Sequence, residues 1–404
     1  MVNRRRGLCA ALLAAVVAVT AGCGTGDSAA PARPEVDLAA LDVGNLPTEP
    51  KTYTKPTSLD MARIVEAMRL GDHLPLPMEI DPEVTHSAMN APVRMFTSMG
   101  GTAIGMRLYA PASALDPLIR GFVTGFVTAG RSEVKPELSY ELDNLALLFE
   151  SEQDAASAAD AFTEVERSAL GPETEIQPIA GFPEARAHTD RSRPGSIHSF
   201  YAVGKFLLFT HIDDNVMREL QANDADKLRA RVARSIEKMK PALESYVPTP
   251  VDKLMELDVD PTGMLGRTLN TLAIDQNQFG IPGVFDRHGG LQIGMDPGLD
   301  AESFERAGVD AVAWVGNFLY RTRDAAAAEQ LLTERAEPSR FFRRAAPPAN
   351  LPFAQCLEYI GAASAVGVYC GVTFGRYTAE VTARQLLDAQ QRIAAQYAIL
   401  AKTN

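Results

Sequence analysis

The sequence predicts an α+β protein with two tandem related domains, each an antiparallel sheet covered by helices, after a signal peptide and a flexible tether. Three observations lead to this prediction. The first residues have the pattern of a secretory signal, an internal repeat links the two halves of the chain, and strand-like and helix-like segments come after each copy in the same order. The chain has 404 residues, a length typical of two or three domains.

Residues 1–22 have the features of a signal peptide. Arg4, Arg5 and Arg6 precede an apolar run of about a dozen residues, which is too short to span a bilayer. The run ends in Val-Thr-Ala-Gly before Cys23, and small residues before a cysteine resemble the lipobox of bacterial lipoproteins. We therefore expect lipid on Cys23 and a location on the outer face of the cytoplasmic membrane, held by acyl chains. An ordinary signal peptide with a chance cysteine is the alternative.

Residues 23–56 are predicted to be the tether, because they are rich in Gly, Ser, Ala and Pro and have little apolar periodicity. The two cysteines beyond it, Cys356 and Cys370, are expected to form a disulfide, which is the usual state of paired cysteines in an oxidising compartment. Two free thiols or a redox pair are the alternatives. Two cysteines without a nearby histidine do not make a zinc site.

The first domain is predicted over residues 57–249 and begins with a helix at 58–70. Thr57 or Ser58 can cap this helix, and Gly71 is expected to end it. The repeat lies further along the chain. Residues 144–162 match residues 315–332 at an offset of about 170, which places Asp154 on Asp324, and each copy reads as a strand, a turn with an aspartate cap and an alanine-rich helix.

The segments after the two copies of the repeat are also similar. In the first half, residues 199–211 are strand-like and 225–243 helical. In the second half, residues 365–376 and 377–381 are strand-like and 382–400 helical. Pro248 and Pro250 mark the expected boundary, which makes residues 250–404 the second domain.

The charge balance excludes one class of partner. The chain has 39 basic and 51 acidic residues and a net charge of −12, which becomes more negative when the signal arginines are removed. Nucleic-acid binding needs clustered Lys and Arg, so we expect no nucleic-acid partner.

Motifs of known chemistry are absent from the sequence. It contains no Gly-x-Ser-x-Gly, His-Glu-x-x-His, P-loop or dinucleotide pattern. The Ser132–Lys135 pair lacks the companion motifs of a penicillin-binding site. The stretch 258–263 resembles the start of a calcium loop, but Leu269 stands where a closing carboxylate is needed. We therefore expect no cofactor, no metal and no catalytic residue of a known type.

Two groups of residues are candidates for a site. His188, Asp190 and His198 lie close in sequence and could form a base with its orienting carboxylate, or a metal site; they could equally be surface residues on strands and a turn. Arg340, Arg343 and Arg344 flank two phenylalanines in an acidic protein. They could contact an anionic lipid or a polyanionic partner, or pair with local acids while the aromatic rings enter the core.

Several stretches of the sequence carry a family resemblance. The lipobox and four stretches resemble a family of uncharacterised lipoproteins of mycolic-acid-bearing actinobacteria, and the Cys356–Cys370 pair fits it; the stretches are 37–50, 62–66, 77–82 and 375–377. The resemblance implies an envelope lipoprotein with a duplicated domain of unknown function. It implies no active site, so it assigns no functional residue.

These observations favour a cell-envelope lipoprotein that binds a lipid, a glycan or a protein partner without catalysis. The first alternative is an extracytoplasmic enzyme, such as a hydrolase, with a site built from dispersed residues. The second is a structural or sensor module. A cleft between two related halves would be a natural ligand site.

Overall fold

The first half of the folded chain is an eight-stranded antiparallel sheet, seen in a computed structural model that describes residues 35–88, 94–100, 102–271, 282–294, 296–362 and 367–403. Its strands are β1 (His86–Ser87), β2 (Met95–Phe96), β3 (Phe122–Arg131), β4 (Tyr140–Phe149), β5 (Thr174–Gln177), β6 (Arg186–Asp190), β7 (Ser196–Val203) and β8 (Phe206–Asp214). They lie in the order β1-β3-β4-β8-β7-β6-β5, and β2 also pairs with β3.

Helices cover both faces of this sheet. They are α1 (Leu59–His73), α2 (Pro77–Ile80), α3 (Thr102–Gly105), α4 (Glu152–Leu170), α5 (Asn215–Glu219) and α6 (Ala225–Ser245). Helix α4 packs on one face through alanines and Phe162, against Phe200 and Phe209. Helices α1 and α6 pack on the opposite face, where Ile236 and Leu208 are fully buried. The predicted sheet with helical cover is therefore present.

The second half, over its described residues, is a seven-stranded antiparallel sheet in the order β12-β13-β14-β15-β11-β10-β9. The strands are β9 (Gly283–Asp286), β10 (Ala311–Trp314), β11 (Phe318–Arg321), β12 (Phe342–Ala345), β13 (Gln355–Tyr359), β14 (Val368–Phe374) and β15 (Tyr377–Ala383). The helices are α7 (Arg287–Gln292), α8 (Pro297–Ala307), α9 (Ala325–Arg335) and α10 (Leu386–Ala401).

The two sheets repeat one order of elements. Strand β4 leads into α4 as β11 leads into α9, and the hairpin β7–β8 returns beside β4 as β14–β15 returns beside β11. A helix comes after each hairpin, α6 in one half and α10 in the other. The predicted fold class, two related antiparallel α+β units, is confirmed.

Two sequence interpretations of these elements are wrong in detail. Ser151, not Asp154, caps α4, because its side chain accepts the backbone N–H of Asp154, whereas Asp324 does cap α9. The offset of 170 therefore does not align the two helix caps. The segment 199–211 is not a single strand, because the chain turns back at Gly204, which has a φ of +52°, and belongs to the hairpin β7–β8.

Gly71 does not end α1, which continues to His73. The residue is buried, and a Cβ at this position would lie 2.4 Å from the ring of Phe126 on β3. Glycine is therefore needed here for close packing of the helix on the sheet rather than for a left-handed cap. The Ser58 cap is confirmed, because its hydroxyl accepts the backbone N–H of Met61.

The described part of the predicted tether, residues 35–56, is packed on the folded body. Leu41 is buried, and Val43 and Leu46 contact a cluster that includes Ile399 of α10. An ion pair of 2.5 Å joins Glu49 to Lys402. The few apolar residues of this segment follow no regular period, so the sequence does not predict that they pack against the body. The residues of the predicted signal peptide and Cys23 lie outside the described residues.

No helix among the described residues is long and apolar enough to cross a bilayer.

Candidate functional site

Four polar residues lie side by side across the first sheet. Asp143 on β4 is the register partner of His211 on β8, His211 is opposite His198 on β7, and His198 is opposite His188 on β6. Directly opposed residues of neighbouring strands project to the same face of a sheet. The four side chains therefore form one row, which we call the polar row, on the face that α4 covers.

Glu166 of α4 closes one end of the polar row. Its Oε2 atom lies 2.5 Å from Nδ1 of His198 and 3.2 Å from Nε2 of His188. Its Oε1 atom accepts the backbone N–H of Tyr109 at 2.6 Å. The glutamate is fully buried and each histidine is 1% exposed, so the carboxylate and both rings are shielded from bulk water.

The position of Glu166 results from helix periodicity. The buried stripe of α4 contains Ala155, Ala159 and Phe162, and the next position on the same stripe is Glu166. A carboxylate on an apolar stripe costs free energy unless the interior supplies partners. Here two strands supply them, because β6 and β7 bring His188 and His198 together beneath the last turns of the helix. A glutamate at a position of the apolar stripe is the feature of the sequence from which this site could be predicted.

Tyr109 covers His198. The two rings are parallel, with centroids 4.1 Å apart, and the tyrosine hydroxyl lies 2.5 Å from Oγ of Ser196. The guanidinium of Arg193 lies 5.0 Å from the tyrosine centroid. Tyr109 is itself partly exposed, so it separates the buried imidazole of His198 from the surface.

The protonation states depend on burial and hydrogen bonding. Burial alone would raise the pKa of Glu166, but His198 and His188 outweigh it and hold this pKa well below its usual range. Burial lowers the pKa of His198 to about 4, although Glu166 opposes the shift. The low pKa of Glu166 requires a protonated His198 beside it, whereas the low pKa of His198 means that its ring is neutral near pH 7. We favour a neutral His198 beside an ionised Glu166, because N–H donors stabilise a carboxylate whether or not they carry charge.

The other end of the polar row is a separate ion-pair group. Asp143 lies 2.6 Å from Nε of the buried Arg107 and 3.5 Å from Nδ1 of His211. Burial opposes ionisation of Asp143, but Arg107 and His211 together hold its pKa far below the usual value. The pKa of His211 is raised, since Asp143 and Asp213 outweigh the effect of burial.

Several buried polar atoms of this region have no hydrogen-bond partner among the described residues. They are Nδ1 of His188, Nε2 of His198, Oδ1 of Asp143 and Nη2 of Arg107. Buried polar atoms are usually satisfied, and a cluster of unsatisfied ones indicates a site for water, an ion or a ligand. All four belong to the polar row or to Arg107, which pairs with Asp143 of the row.

The second half carries a different polar cluster beneath its own repeat helix. Arg335 of α9 forms ion pairs with Glu380 of β15 and Asp300 of α8, and the hydroxyls of Tyr320 and Tyr369 donate to Glu380. None of these five residues has a buried side-chain polar atom without a hydrogen-bond partner among the described residues. An arginine thus balances the buried carboxylates of the second half, whereas Glu166 has only histidines.

The structure assembles part of the predicted histidine group. His188 and His198 do converge, but Asp190 does not join them, because its carboxylate accepts from the N–H and hydroxyl of Ser192 in the β6–β7 turn. The orienting carboxylate is Glu166, which sequence spacing did not suggest. Asp190 is therefore the last residue of β6, where its carboxylate stabilises the following turn, and its predicted role beside the histidines is wrong.

The arginine cluster lies at the edge of the second sheet, on and before β12. Arg343 forms an ion pair of 2.8 Å with Glu358, as the local-pairing alternative predicts. Arg340 and Arg344 are exposed and form no ion pair with the described residues, and Phe341 is 50% exposed instead of entering the core. The predicted disulfide joins Cys356 and Cys370, which are register partners on β13 and β14.

Two family models match the chain. Domain of unknown function (DUF7373) N-terminal matches residues 53–259, and Domain of unknown function (DUF7373) C-terminal matches residues 264–403. The chain belongs to the DUF7373 family. The division of this family into two parts agrees with the two related sheets. No curated protein and no solved structure matches the chain.

Proposed function

We propose that this DUF7373 protein is a lipid-anchored component of the cell envelope that acts by binding rather than by catalysis. Support for the anchor comes from the basic residues, short apolar run and small residues that precede Cys23. The Cys356–Cys370 disulfide agrees with this location, because disulfides persist in oxidising compartments. The resemblance to actinobacterial envelope lipoproteins supports the same location.

The observation that carries the binding role is the burial of the Glu166–His188–His198 group. These are residue types that enzymes use, but each is at most 1% exposed and Tyr109 covers His198. A hydrolase must bring its substrate within hydrogen-bond reach of the base, and a molecule of substrate size does not reach these atoms. The enzyme alternative is therefore less well supported than binding.

The exposed surface at β12 is the part of the body best suited to an envelope partner. Phe341 and Ile360 are exposed and adjacent, since the backbone N–H of Ile360 donates to the carbonyl of Phe341. Arg340 and Arg344 add positive charge beside them. A partner with anionic and apolar groups, such as an envelope lipid headgroup with part of its chains, fits this chemistry.

Two experiments test the proposal. Metabolic labelling with a radioactive fatty acid should label the wild-type chain and leave Cys23→Ala unlabelled and released from the membrane; labelling of the variant would contradict lipidation of Cys23. Flotation with vesicles of anionic lipid should recover the detergent-extracted chain, and Arg340→Glu with Arg344→Glu should reduce recovery. Lys238→Glu, a charge reversal at an exposed position of α6, is the control.

A further inference from the structure

We propose that Glu166, His188 and His198 bind one divalent transition-metal ion, of which Zn²⁺ is the best fit. The three side chains each offer one ligand atom, and these atoms lie within 4.8 Å of one another. Imidazole nitrogen and carboxylate oxygen are ligands that zinc takes, and two histidines with one glutamate form a known three-residue set for it. The inference does not depend on lipidation of the chain or on the surface at β12.

The separations suit a metal centre. Zinc lies about 2.0–2.2 Å from nitrogen and oxygen ligands, so neighbouring ligands of a tetrahedral ion are about 3.4 Å apart. Nε2 of His188 is already 3.2 Å from Oε2 of Glu166. Nδ1 of His198 is 2.5 Å from the same oxygen, so a small rotation of the Glu166 carboxylate opens the space for an ion.

Charge provides a second and independent reason. Both ion pairs of Glu166 are with histidines, which are charged only when protonated, and neither Lys nor Arg pairs with it among the described residues. An ionised carboxylate in the interior costs several kcal/mol without a compensating cation. In the second half Arg335 provides that cation for Glu380 and Asp300. In the first half a metal ion would be the cation that compensates the charge of Glu166.

In this arrangement Nε2 of His188 and Nδ1 of His198 bind the ion, and the outer ring nitrogens, Nδ1 of His188 and Nε2 of His198, carry the ring protons. Three protein ligands leave a fourth position on a tetrahedral ion, which a water molecule can fill.

The test uses the full chain in detergent, purified through a tag that contains no histidine and stripped with a chelator. Isothermal titration with Zn²⁺ should show one ion per chain, and Co²⁺ should give the visible bands of a four-coordinate site. Glu166→Gln, His188→Gln and His198→Gln should each weaken binding by about 100-fold or more, because changes even in outer-shell partners cost 10–100-fold. His211→Gln, the neighbour of His198 in the polar row, is the matched control and should bind normally.

A wild-type measurement keeps the proposal falsifiable if the variants fold poorly. Zn²⁺ at about 100 times its Kd should raise the melting temperature of the stripped chain by about 3 °C, and chelator should reverse the shift. Absence of zinc binding by the folded wild-type chain would overturn the proposal. Binding that survives Glu166→Gln, or that His211→Gln abolishes, would overturn it as well.

Discussion

Oε2 of Glu166 on α4 and Nδ1 of His198 on β7 lie 2.5 Å apart in the interior of the first half. This contact joins the repeat helix to the sheet at a place where the rest of the helix packs through alanine and phenylalanine. It also connects the carboxylate to a row of polar residues that crosses four strands. The consequences for stability and ligand binding can be measured.

Replacement of Glu166 by alanine should destabilise the fold by about 3–5 kcal/mol, because it leaves three buried donors unpaired and each unpaired donor costs about 1–3 kcal/mol. These donors are His188, His198 and the backbone N–H of Tyr109. Urea denaturation measures the effect. Glu164→Ala, an exposed position of the same helix, is the control and should change stability by less than about 0.5 kcal/mol. Equal effects of the two substitutions would refute a special role for Glu166.

Loss of the disulfide should destabilise the second sheet. Cys356 and Cys370 are 14 residues apart in sequence, and a closed loop of this size is worth about 3 kcal/mol of chain entropy. We expect Cys356→Ala with Cys370→Ala to lower the urea midpoint. Reductant should lower the wild-type midpoint to the same value and leave the double variant unchanged. A midpoint in the wild type that does not respond to reductant would show that the bond contributes nothing.

Asp72 makes stability depend on pH. Burial, with the charge of Asp286, raises the pKa of Asp72 from 3.8 to about 8. An acid whose pKa is higher in the folded state stabilises the fold fully below its unfolded pKa, and this contribution is lost as pH rises from about 4 to about 8. Asp72→Asn keeps the oxygen that accepts the N–H of Asp286 and removes the charge.

We therefore expect Asp72→Asn to stabilise the protein at pH 9, on the order of 2 kcal/mol, and to have little effect at pH 4. Thermal melts at the two pH values measure the difference. Asp60→Asn, near the exposed start of α1, is the control and should show no such gain at pH 9. A loss of stability in Asp72→Asn at pH 9 would contradict the assignment.

Gly71→Ala should destabilise the protein although alanine favours helices by about 1 kcal/mol over glycine. The added methyl group meets the ring of Phe126 at 2.4 Å, and overpacking typically costs about 1–3 kcal/mol. A smaller side chain in Phe126→Leu should relieve the clash. A double-mutant cycle by urea denaturation should therefore show coupling, and additive effects of the two substitutions would rule out the contact.

The sequence predicted the fold class, because helix and strand periodicity are local signals that packing did not override here. This periodicity predicts helices α1, α6 and α10, whereas the disulfide is predicted from a pair of cysteines in an oxidising compartment. The cap of α4 was misassigned because Ser151 and Asp154 are both good capping residues and lie three positions apart. The packed state of residues 35–56 was missed, since the groove that receives them is formed by the distant helix α10.

The candidate site could be predicted only in part. His188 and His198 are near in sequence because they lie on the two arms of one hairpin, and this local feature was visible. Glu166 comes from a helix on the opposite side of the interface, and only tertiary packing brings it to them. Asp190 is closer in sequence to the two histidines than Glu166 is, but its carboxylate accepts the N–H and hydroxyl of Ser192 instead.

The most direct test of the site is anomalous diffraction at the zinc edge from crystals of the chain grown with Zn²⁺. We predict one strong peak within about 2.0–2.2 Å of Nε2 of His188, Nδ1 of His198 and a carboxylate oxygen of Glu166. A map without a peak at these three atoms, in crystals whose zinc lies elsewhere or is absent, would contradict the proposed metal site.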